Sequence, residues 1–128
     1  MAHASIKKYR QVTVSSVKEM TPYEQVKLVF TNIIGKLSAA KGLIEHKEFE
    51  KKGTAISDCI TLLGALQQVL NFENENQISA SLDSLYDYCL RTLLTANLEN
   101  DINKLDEVIV LIKEIKSGWE AIPTEQRQ

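Results

Sequence analysis

The clearest pattern in the sequence is a pair of apolar stripes between Leu82 and Trp119. Apolar residues there recur at intervals of three and four positions, which places them on one face of an α-helix. The first stripe consists of Leu82, Leu85, Tyr86, Cys89, Leu90, Leu93 and Leu94. The second consists of Ile102, Leu105, Val108, Ile109, Leu111, Ile112, Ile115 and Trp119, with the polar Lys116 among them. Only residues 97–100 separate the stripes, which predicts two antiparallel helices with a shared core.

The connection between these two helices has residues suited to ending one helix and starting another. Asn97 suits a left-handed conformation at the end of the first helix. The next helix can then be capped by Asn100 or by Asp101, and the sequence leaves both open.

An earlier helix is predicted to begin at Thr21. Threonine suits the cap, Pro22 suits the first helical position, and Glu24 can complete a capping box. The apolar positions then alternate steps of four and three residues: Val26, Phe30, Ile33, Leu37, Ala40 and Ile44. This seven-residue repeat favours coiled-coil-like packing. Gly35 and Gly42 are also seven apart, and we expect them to allow a neighbouring helix to approach closely.

Residues 46–48 form a predicted turn into a further helix, which ends near Asn71. Its apolar positions are Phe49, Ile56, Cys59, Ile60, Leu63, Leu66 and Leu70. Gly64 interrupts this pattern. A polar stretch follows, and the start of the next helix stays open between Glu75 and Ser81 because several residues there can act as caps.

These patterns predict an all-α fold, an antiparallel four-helix bundle with a short N-terminal arm or helix. The chain has 128 residues, two prolines and five glycines, which suits one helical domain rather than a β protein with many tight turns. We expect the arm to cover residues 1–20, the bundle residues 21–122, and a frayed polar tail residues 123–128.

Charge and cysteine content narrow the range of functions. The net charge of −2 argues against nucleic-acid binding, and the lysines at 47, 51 and 52 are predicted to lie on a solvated helix face. Cys59 and Cys89 fall in apolar helical patterns, so we expect buried thiols in a reducing cytosol rather than a disulfide. The sequence contains no apolar run of membrane-spanning length and no signal peptide, which predicts a cytoplasmic protein without membrane insertion.

The sequence contains no motif that predicts an enzyme active site. The chain has two histidines, His3 and His46, and neither has the glutamate spacing that a di-metal site in a helical bundle needs. There is no Gly-x-Ser-x-Gly motif and no phosphate-binding glycine loop. We therefore expect no catalytic residues, no metal and no cofactor. Recognition of a partner by the protein surface is the function class that remains.

One part of the hairpin resembles a known family. LYDYCLR at residues 85–91 is followed by LTANL at 94–98, by Asn100-Asp101, by LDEVI at 105–109 and by Trp119. This is similar to the C-terminal half of the flagellin export chaperones, the FliS family, which typically reads LYDYMLRRLxxANxxND before an EEV-like segment and a terminal tryptophan. The positions Ile6, Tyr9 and Val12 resemble the family's N-terminal I-x-x-Y-x-x-V pattern, and Thr21-Pro22 resembles the start of its first helix. Cys89, Thr92 and Phe30-Thr31 depart from the usual family residues.

The resemblance implies a cytoplasmic flagellar secretion chaperone. Such a protein binds the C-terminal segment of flagellin, prevents premature polymerisation and delivers flagellin to the flagellar type III export gate while it is bound. The client would wrap around the bundle over apolar grooves, so that its ordering is coupled to binding. The alternative is a structural bundle that self-associates through an exposed apolar face, for example as a homodimer, and has no flagellin client.

Five residues are predicted to contact the client. Ile6 and Tyr9 match family positions that either bind the client or shield an apolar groove in its absence. Leu62 lies off the main stripe of its helix and can border a groove together with Leu66, four residues later. Tyr88 is two positions from Tyr86 and cannot share its core face, so it is predicted to point outward. Trp119 is interpreted as either a plug at the end of the bundle or a client anchor.

Overall fold

Four α-helices account for most of the computed structural model, which describes residues 20–73 and 77–126. The helices are α1 (Pro22–Glu45), α2 (Phe49–Glu73), α3 (Gln77–Glu99) and α4 (Ile102–Glu120), and a short 3-10 helix follows at Thr124–Gln126. Each helix packs against its neighbours in the chain, and α4 also packs against α1. The predicted all-α four-helix bundle is therefore confirmed.

Contacts between the helices show that neighbouring helices run antiparallel. Lys27 near the start of α1 pairs with Glu120 at the end of α4, and Lys41 near the end of α1 pairs with Asp106 near the start of α4. Along the seam between α2 and α3, Gln67 bonds to Asp83 at one end, whereas residues 52 and 97 meet at the other end.

One apolar stripe from every helix fills the centre. Its fully buried members include Phe30, Ile33, Leu37, Ile56, Leu63, Tyr86, Leu93, Leu105, Val108 and Ile112. Many of the positions predicted from the three-and-four spacing are buried, and others, such as Leu82, Leu90 and Ile115, are partly buried against this core. Phe49 and Leu94 are instead substantially exposed. Leu94 follows Leu93 directly, and two consecutive helical residues differ in direction by about 100°.

Caps and turns define the helix ends. The side chain of Thr21 accepts a hydrogen bond from the amide of Glu24 at 3.2 Å, as the sequence predicts. At residues 46–48, Lys47 has a φ of 58°, and the amide of Glu48 donates to the Leu43 carbonyl at 2.8 Å. This left-handed residue and its hydrogen bond form a Schellman motif, which ends α1 and turns the chain into α2.

The α3–α4 connection is shorter than the sequence predicts. Asn97 lies inside α3, so its predicted left-handed conformation is wrong. Asn100 has that conformation instead, with a φ of 54°, and the amide of Asp101 donates to the Ala96 carbonyl at 3.0 Å. Asp101 then caps α4 by accepting from the amide of Lys104 at 3.2 Å. Of the two predicted caps, Asp101 is correct.

The aromatic residues at the other end of the bundle pack against each other. The rings of Trp119 and Tyr23 are stacked, with centroids 5.7 Å apart and planes 12° apart. The indole N–H of Trp119 donates to the Tyr23 carbonyl at 3.1 Å. These contacts join the end of α4 to the start of α1 and agree with the interpretation of Trp119 as a plug at the end of the bundle.

The expected close approach at Gly35 and Gly42 is wrong. A Cβ atom at either position would meet no atom of a neighbouring element within 4 Å. The expected interruption at Gly64 is also absent, since α2 is a continuous helix across it. Gly35 is on the exposed surface of α1, so its seven-residue spacing from Gly42 is unrelated to helix packing.

We expect Gly35→Ala to stabilise the protein by about 0.5–1 kcal/mol, because alanine loses less backbone entropy than glycine in a helix. The added methyl group meets open space. Urea unfolding followed by circular dichroism measures the change. Ala39→Gly, at an exposed position on the same helix, is the matched control and should destabilise by a similar amount. An unchanged or lower urea midpoint for Gly35→Ala would contradict the prediction.

Candidate functional site

α3 presents two leucines to solvent along its seam with α2. Leu98 is 85% exposed and Leu94 is 57% exposed. Asp83 and Asp87 precede them on the same side of the helix, and both accept hydrogen bonds from the side-chain amide of Gln67 on α2, at 2.8 and 3.0 Å. These bonds identify that side of α3 as the one next to α2. The two leucines therefore continue the α2–α3 seam as an uncovered apolar surface.

Phe49, the first residue of α2, lies at the same end of the bundle and is 45% exposed. The ammonium of Lys52 is 5.8 Å from the centroid of the Phe49 ring and 2.8 Å from the carbonyl of Asn97, which directly precedes Leu98. The start of α2 is thus joined to the last turn of α3. We call Phe49, Leu94 and Leu98 the apolar end patch.

Lys52 itself is buried, with 6% of its surface exposed, so its predicted place on a solvated face is wrong. It occupies a core position, four residues before Ile56 in the stripe that continues through Cys59 and Leu63. The aliphatic stem of a lysine can pack along apolar surface while its ammonium reaches a polar partner. That spacing was the signal in the sequence that identifies Lys52 as an inward-facing residue.

Tyr86 is buried and Tyr88 is exposed, as predicted. Tyr86 is 1% exposed and Tyr88 is 41% exposed. The Tyr88 hydroxyl donates to the carboxylate of Glu107 on α4, which places Tyr88 on the α3–α4 seam. This hydrogen bond, together with desolvation and the negative charge of Glu107, raises the pKa of Tyr88 above its ordinary value. The outward direction of Tyr88 is confirmed, and its contact with a client stays a prediction.

Leu62 and Leu66 both pack against the core, and their contact with a client stays a prediction. Leu62 is half-buried against the core, and Leu66 is 3% exposed. Leu62 follows Asp58 by one helical turn, and Asp58 pairs with Lys36 of α1 at 3.4 Å. Leu62 therefore lies on the α1–α2 side of the bundle, opposite the α3–α4 seam that carries Tyr88. The structure does not bring the predicted residues of the two seams together.

Ile6 and Tyr9 lie outside the described residues. The chain enters α1 from Met20, at the end of the bundle where Trp119 meets Tyr23. The apolar end patch is at the opposite end, since it includes the start of α2 and the last turn of α3. α1 is 24 residues long, so the two ends are about 36 Å apart at 1.5 Å per residue.

Sequence reasoning missed the apolar end patch as a surface. The apolar spacing places Phe49 and Leu94 in core stripes, and it places Leu98 in the loop between two helices. The informative signal was the spacing of Leu94 and Leu98, four residues apart and away from the stripe that runs through Leu93 and Ala96. A pair of leucines with that spacing forms a second apolar face on a helix whose first face is already used.

An open groove of about 370 Å³ lies between α1 and α4. It is lined by Thr31, Ile34, Lys113, Lys116, Ser117 and Glu120. The carboxylate of Glu120 pairs with Lys116 at 3.1 Å and with Lys27 at 3.9 Å. This groove suits an apolar partner less well than the end patch does.

The two cysteines are free and buried, as predicted. Burial raises the pKa of the Cys59 thiol to about 12 and that of the Cys89 thiol to about 11. Both remain protonated at neutral pH and are poor nucleophiles. Within residues 20–73 and 77–126, no group of three or more His, Cys, Asp or Glu side chains is arranged to hold a metal ion. None of the helices in this part of the chain is long and apolar enough to cross a membrane.

Comparison with known proteins gives the family. The model of the family described as "Flagellar protein FliS" matches residues 5–126. The chain belongs to the FliS family. It is 34% identical over 122 residues to the flagellar secretion chaperone FliSB of Pseudomonas aeruginosa, covering 94% of this chain and 97% of that protein. It is also 34% identical to the flagellar secretion chaperone FliS of Salmonella typhimurium, covering 93% of this chain and 90% of that protein.

Membership of the FliS family supports a chaperone role in flagellar secretion. A third relative, the flagellar secretion chaperone FliS of Vibrio cholerae, is 31% identical over 94% of this chain and 90% of its own length. The resemblance drawn from residues 85–119 is confirmed, and the family match also includes the positions of Ile6 and Tyr9. Chaperone activity is a binding function rather than a catalytic one.

We expect the two thiols to react slowly with a thiol reagent in the native protein. Both pKa values lie well above neutral pH, and both side chains are inaccessible. Absorbance of the thiolate released from DTNB at pH 7.5 measures the rate. The same assay in 8 M urea is the control and should show rapid reaction of both thiols. Rapid reaction without denaturant would show that the core opens readily.

The Tyr88 hydroxyl should ionise above the ordinary tyrosine pKa of about 10, because its proton is held by the Glu107 carboxylate. A raised folded-state pKa contributes stability that is fully present below pH 10. That contribution is lost as the pH rises through the folded-state value. Absorbance at 295 nm, titrated for the wild type and Tyr88→Phe, isolates this group by difference. A difference titration centred at or below 10 would exclude the hydrogen bond in solution.

Proposed function

We propose that this FliS-family protein is a cytoplasmic chaperone for flagellin. It binds the C-terminal segment of flagellin, prevents that segment from polymerising prematurely, and delivers it to the flagellar type III export gate in the bound state. Family membership supports the chaperone role. The observation that most supports a binding role for a particular surface is the exposure of Leu98, Leu94 and Phe49 at one end of the bundle.

The apolar end patch suits an amphipathic partner. Burying a leucine side chain contributes about 2 kcal/mol, and contiguous exposed apolar residues mark interaction surfaces. Leu94 and Leu98 stand one turn apart on a rigid helix, so an apolar helix face or an extended segment can pack on both. A flagellin segment covered in this way could not use the same residues to pair with another flagellin.

A client that contacts both the N-terminal residues near the start of the bundle and the apolar end patch must be elongated. The arm joins the bundle at Met20, about 36 Å from the end that carries Leu98. Tyr9 is 11 residues before Met20 and can reach at most about 40 Å from it when fully extended. If Ile6 or Tyr9 contacts the client near the start of the bundle, a client that also covers Leu98 must run along most of its length.

The second candidate is self-association through the same patch, because two copies could bury Leu94 and Leu98 against each other. Light scattering after size-exclusion chromatography separates the two functions. Under the chaperone proposal the protein alone is a monomer and its mass increases by that of a flagellin peptide. A client-free dimer that becomes monomeric on Leu98→Ala substitution would favour self-association.

Leu98→Ala should weaken binding of a peptide that covers the flagellin C-terminus by about tenfold or more, since it removes most of one leucine's apolar surface. Isothermal titration calorimetry measures the dissociation constant. Val110→Ala is the matched control, because Val110 is a 54% exposed aliphatic residue on α4, away from the α2–α3 seam. Absence of binding by the wild type would refute the proposed function, and equal affinity of Leu98→Ala and wild type would exclude Leu98 from the site.

A further inference from the structure

We propose that Lys52 is a positioning residue for client binding, because its buried ammonium holds the last turn of α3 and thereby sets the place of Leu98. This inference rests on the proposed function, since it concerns the surface that would receive the client. Lys52 does not itself offer a binding surface, because 6% of it is exposed. It acts through the backbone of the turn that carries Leu98.

The hydrogen bond of Lys52 satisfies a group that the helix leaves without a partner. The last four carbonyls of an α-helix have no amide of a following turn to bond to. In α3 the Ala96 carbonyl accepts from the amide of Asp101, and the Asn97 carbonyl accepts from Lys52 at 2.8 Å. A cation at this end also lies at the negative end of the helix dipole. One ammonium from α2 therefore contributes both a donor and a complementary charge.

The same turn contains further acceptors that increase the need for a positive group. Among the described residues, the side-chain oxygens of Asn97 and Asn100 are buried and have no hydrogen-bond donor. Asn100 has the left-handed backbone that ends α3, a conformation that asparagine adopts more readily than most residues. A turn with these features opens easily unless another element holds it. Lys52 holds it from α2, while Lys104 of α4 pairs with Glu99 at 3.5 Å on the other side of the turn.

Leu98 depends on this turn more than other apolar residues of the bundle do. A core leucine such as Leu93 is held by its own packing, whereas 85% of Leu98 is in solvent. Its position is therefore set by the backbone on either side of it. The carbonyl that Lys52 binds belongs to the residue immediately before Leu98. Loss of the ammonium should consequently displace Leu98 while the core stays folded.

The first experiment compares Lys52→Met with wild type. Methionine keeps an unbranched apolar stem but removes the charge and the donor. We expect the affinity for the flagellin C-terminal peptide to fall about tenfold, and amide hydrogen exchange at residues 98–101 to accelerate more than in the rest of α3. Ile56→Val, one turn further along the same buried stripe, is the control for a general loss of stability. It should lower the urea midpoint while leaving the peptide affinity within about twofold of wild type.

A double-mutant cycle that combines Lys52→Met with Leu98→Ala distinguishes a positioning role of Lys52 from a purely structural one. If Lys52 acts through Leu98, the loss from Leu98→Ala should shrink from about tenfold in the wild type to about twofold in the Lys52→Met background. If instead the two substitutions lower the affinity by independent factors, so that the fold losses multiply in the double variant, the inference is overturned.

The Lys52→Arg variant keeps a charged donor and should bind the peptide more tightly than Lys52→Met does. If a folded Lys52→Arg protein loses as much affinity as Lys52→Met, the inference is also overturned.

The outcomes separate this inference from the proposed function. If the wild type does not bind the flagellin peptide, the proposed function fails, whereas the hydrogen-exchange comparison still tests whether Lys52 holds the turn. If the wild type binds and Lys52→Met binds equally well, the positioning role fails while the chaperone function stands. Should Lys52→Met not fold, Lys52→Leu, which also removes both the charge and the donor, takes its place in the cycle.

Discussion

The stability of the bundle depends on one apolar stripe from each helix, which is buried against its neighbouring helices in a common core. Phe30, Leu37, Leu63, Leu93 and Ile112, drawn from all four helices, are completely inaccessible to solvent. The helices have 19 to 25 residues, and each gains most of its stability from packing its apolar face into this shared core rather than from intrinsic helix propensity. A consequence is that each helix has only one face for the core. Apolar residues on any other face remain at the surface.

Polar contacts then fix the seams and the ends, and each has a separate role. Lys41 and Asp106 join α1 to α4, Gln67 joins α2 to α3, and Tyr88 joins α3 to Glu107. Exposed pairs of this kind contribute little stability, but they set how neighbouring helices align. The buried Lys52 differs from them, because it crosses between helices to bind a backbone carbonyl. An unpaired polar group in that place would cost more than a broken surface pair.

The apolar end patch is what this arrangement leaves uncovered. Leu94 and Leu98 project from α3 beside its seam with α2, and Phe49 completes the patch at the start of α2. A protein that binds another chain transiently needs apolar surface outside its own core. In a FliS-family chaperone, exposed leucines on a rigid and continuous helix provide such surface without requiring the bundle to open.

The sequence by itself determined the four helices, their antiparallel order, the cap at Thr21 and the family, because apolar spacing and capping chemistry are local and the LYDY-to-ND motif is specific. It also separated the buried Tyr86 from the exposed Tyr88. It could not place Leu94 or Lys52, whose exposure or burial depends on where a neighbouring helix lies. Periodicity gives the direction of a side chain from its own helix axis, whereas only the tertiary structure decides whether a second helix covers that direction. For this reason Leu98, read as part of a loop, proves to be the most exposed large apolar residue in the described part of the chain.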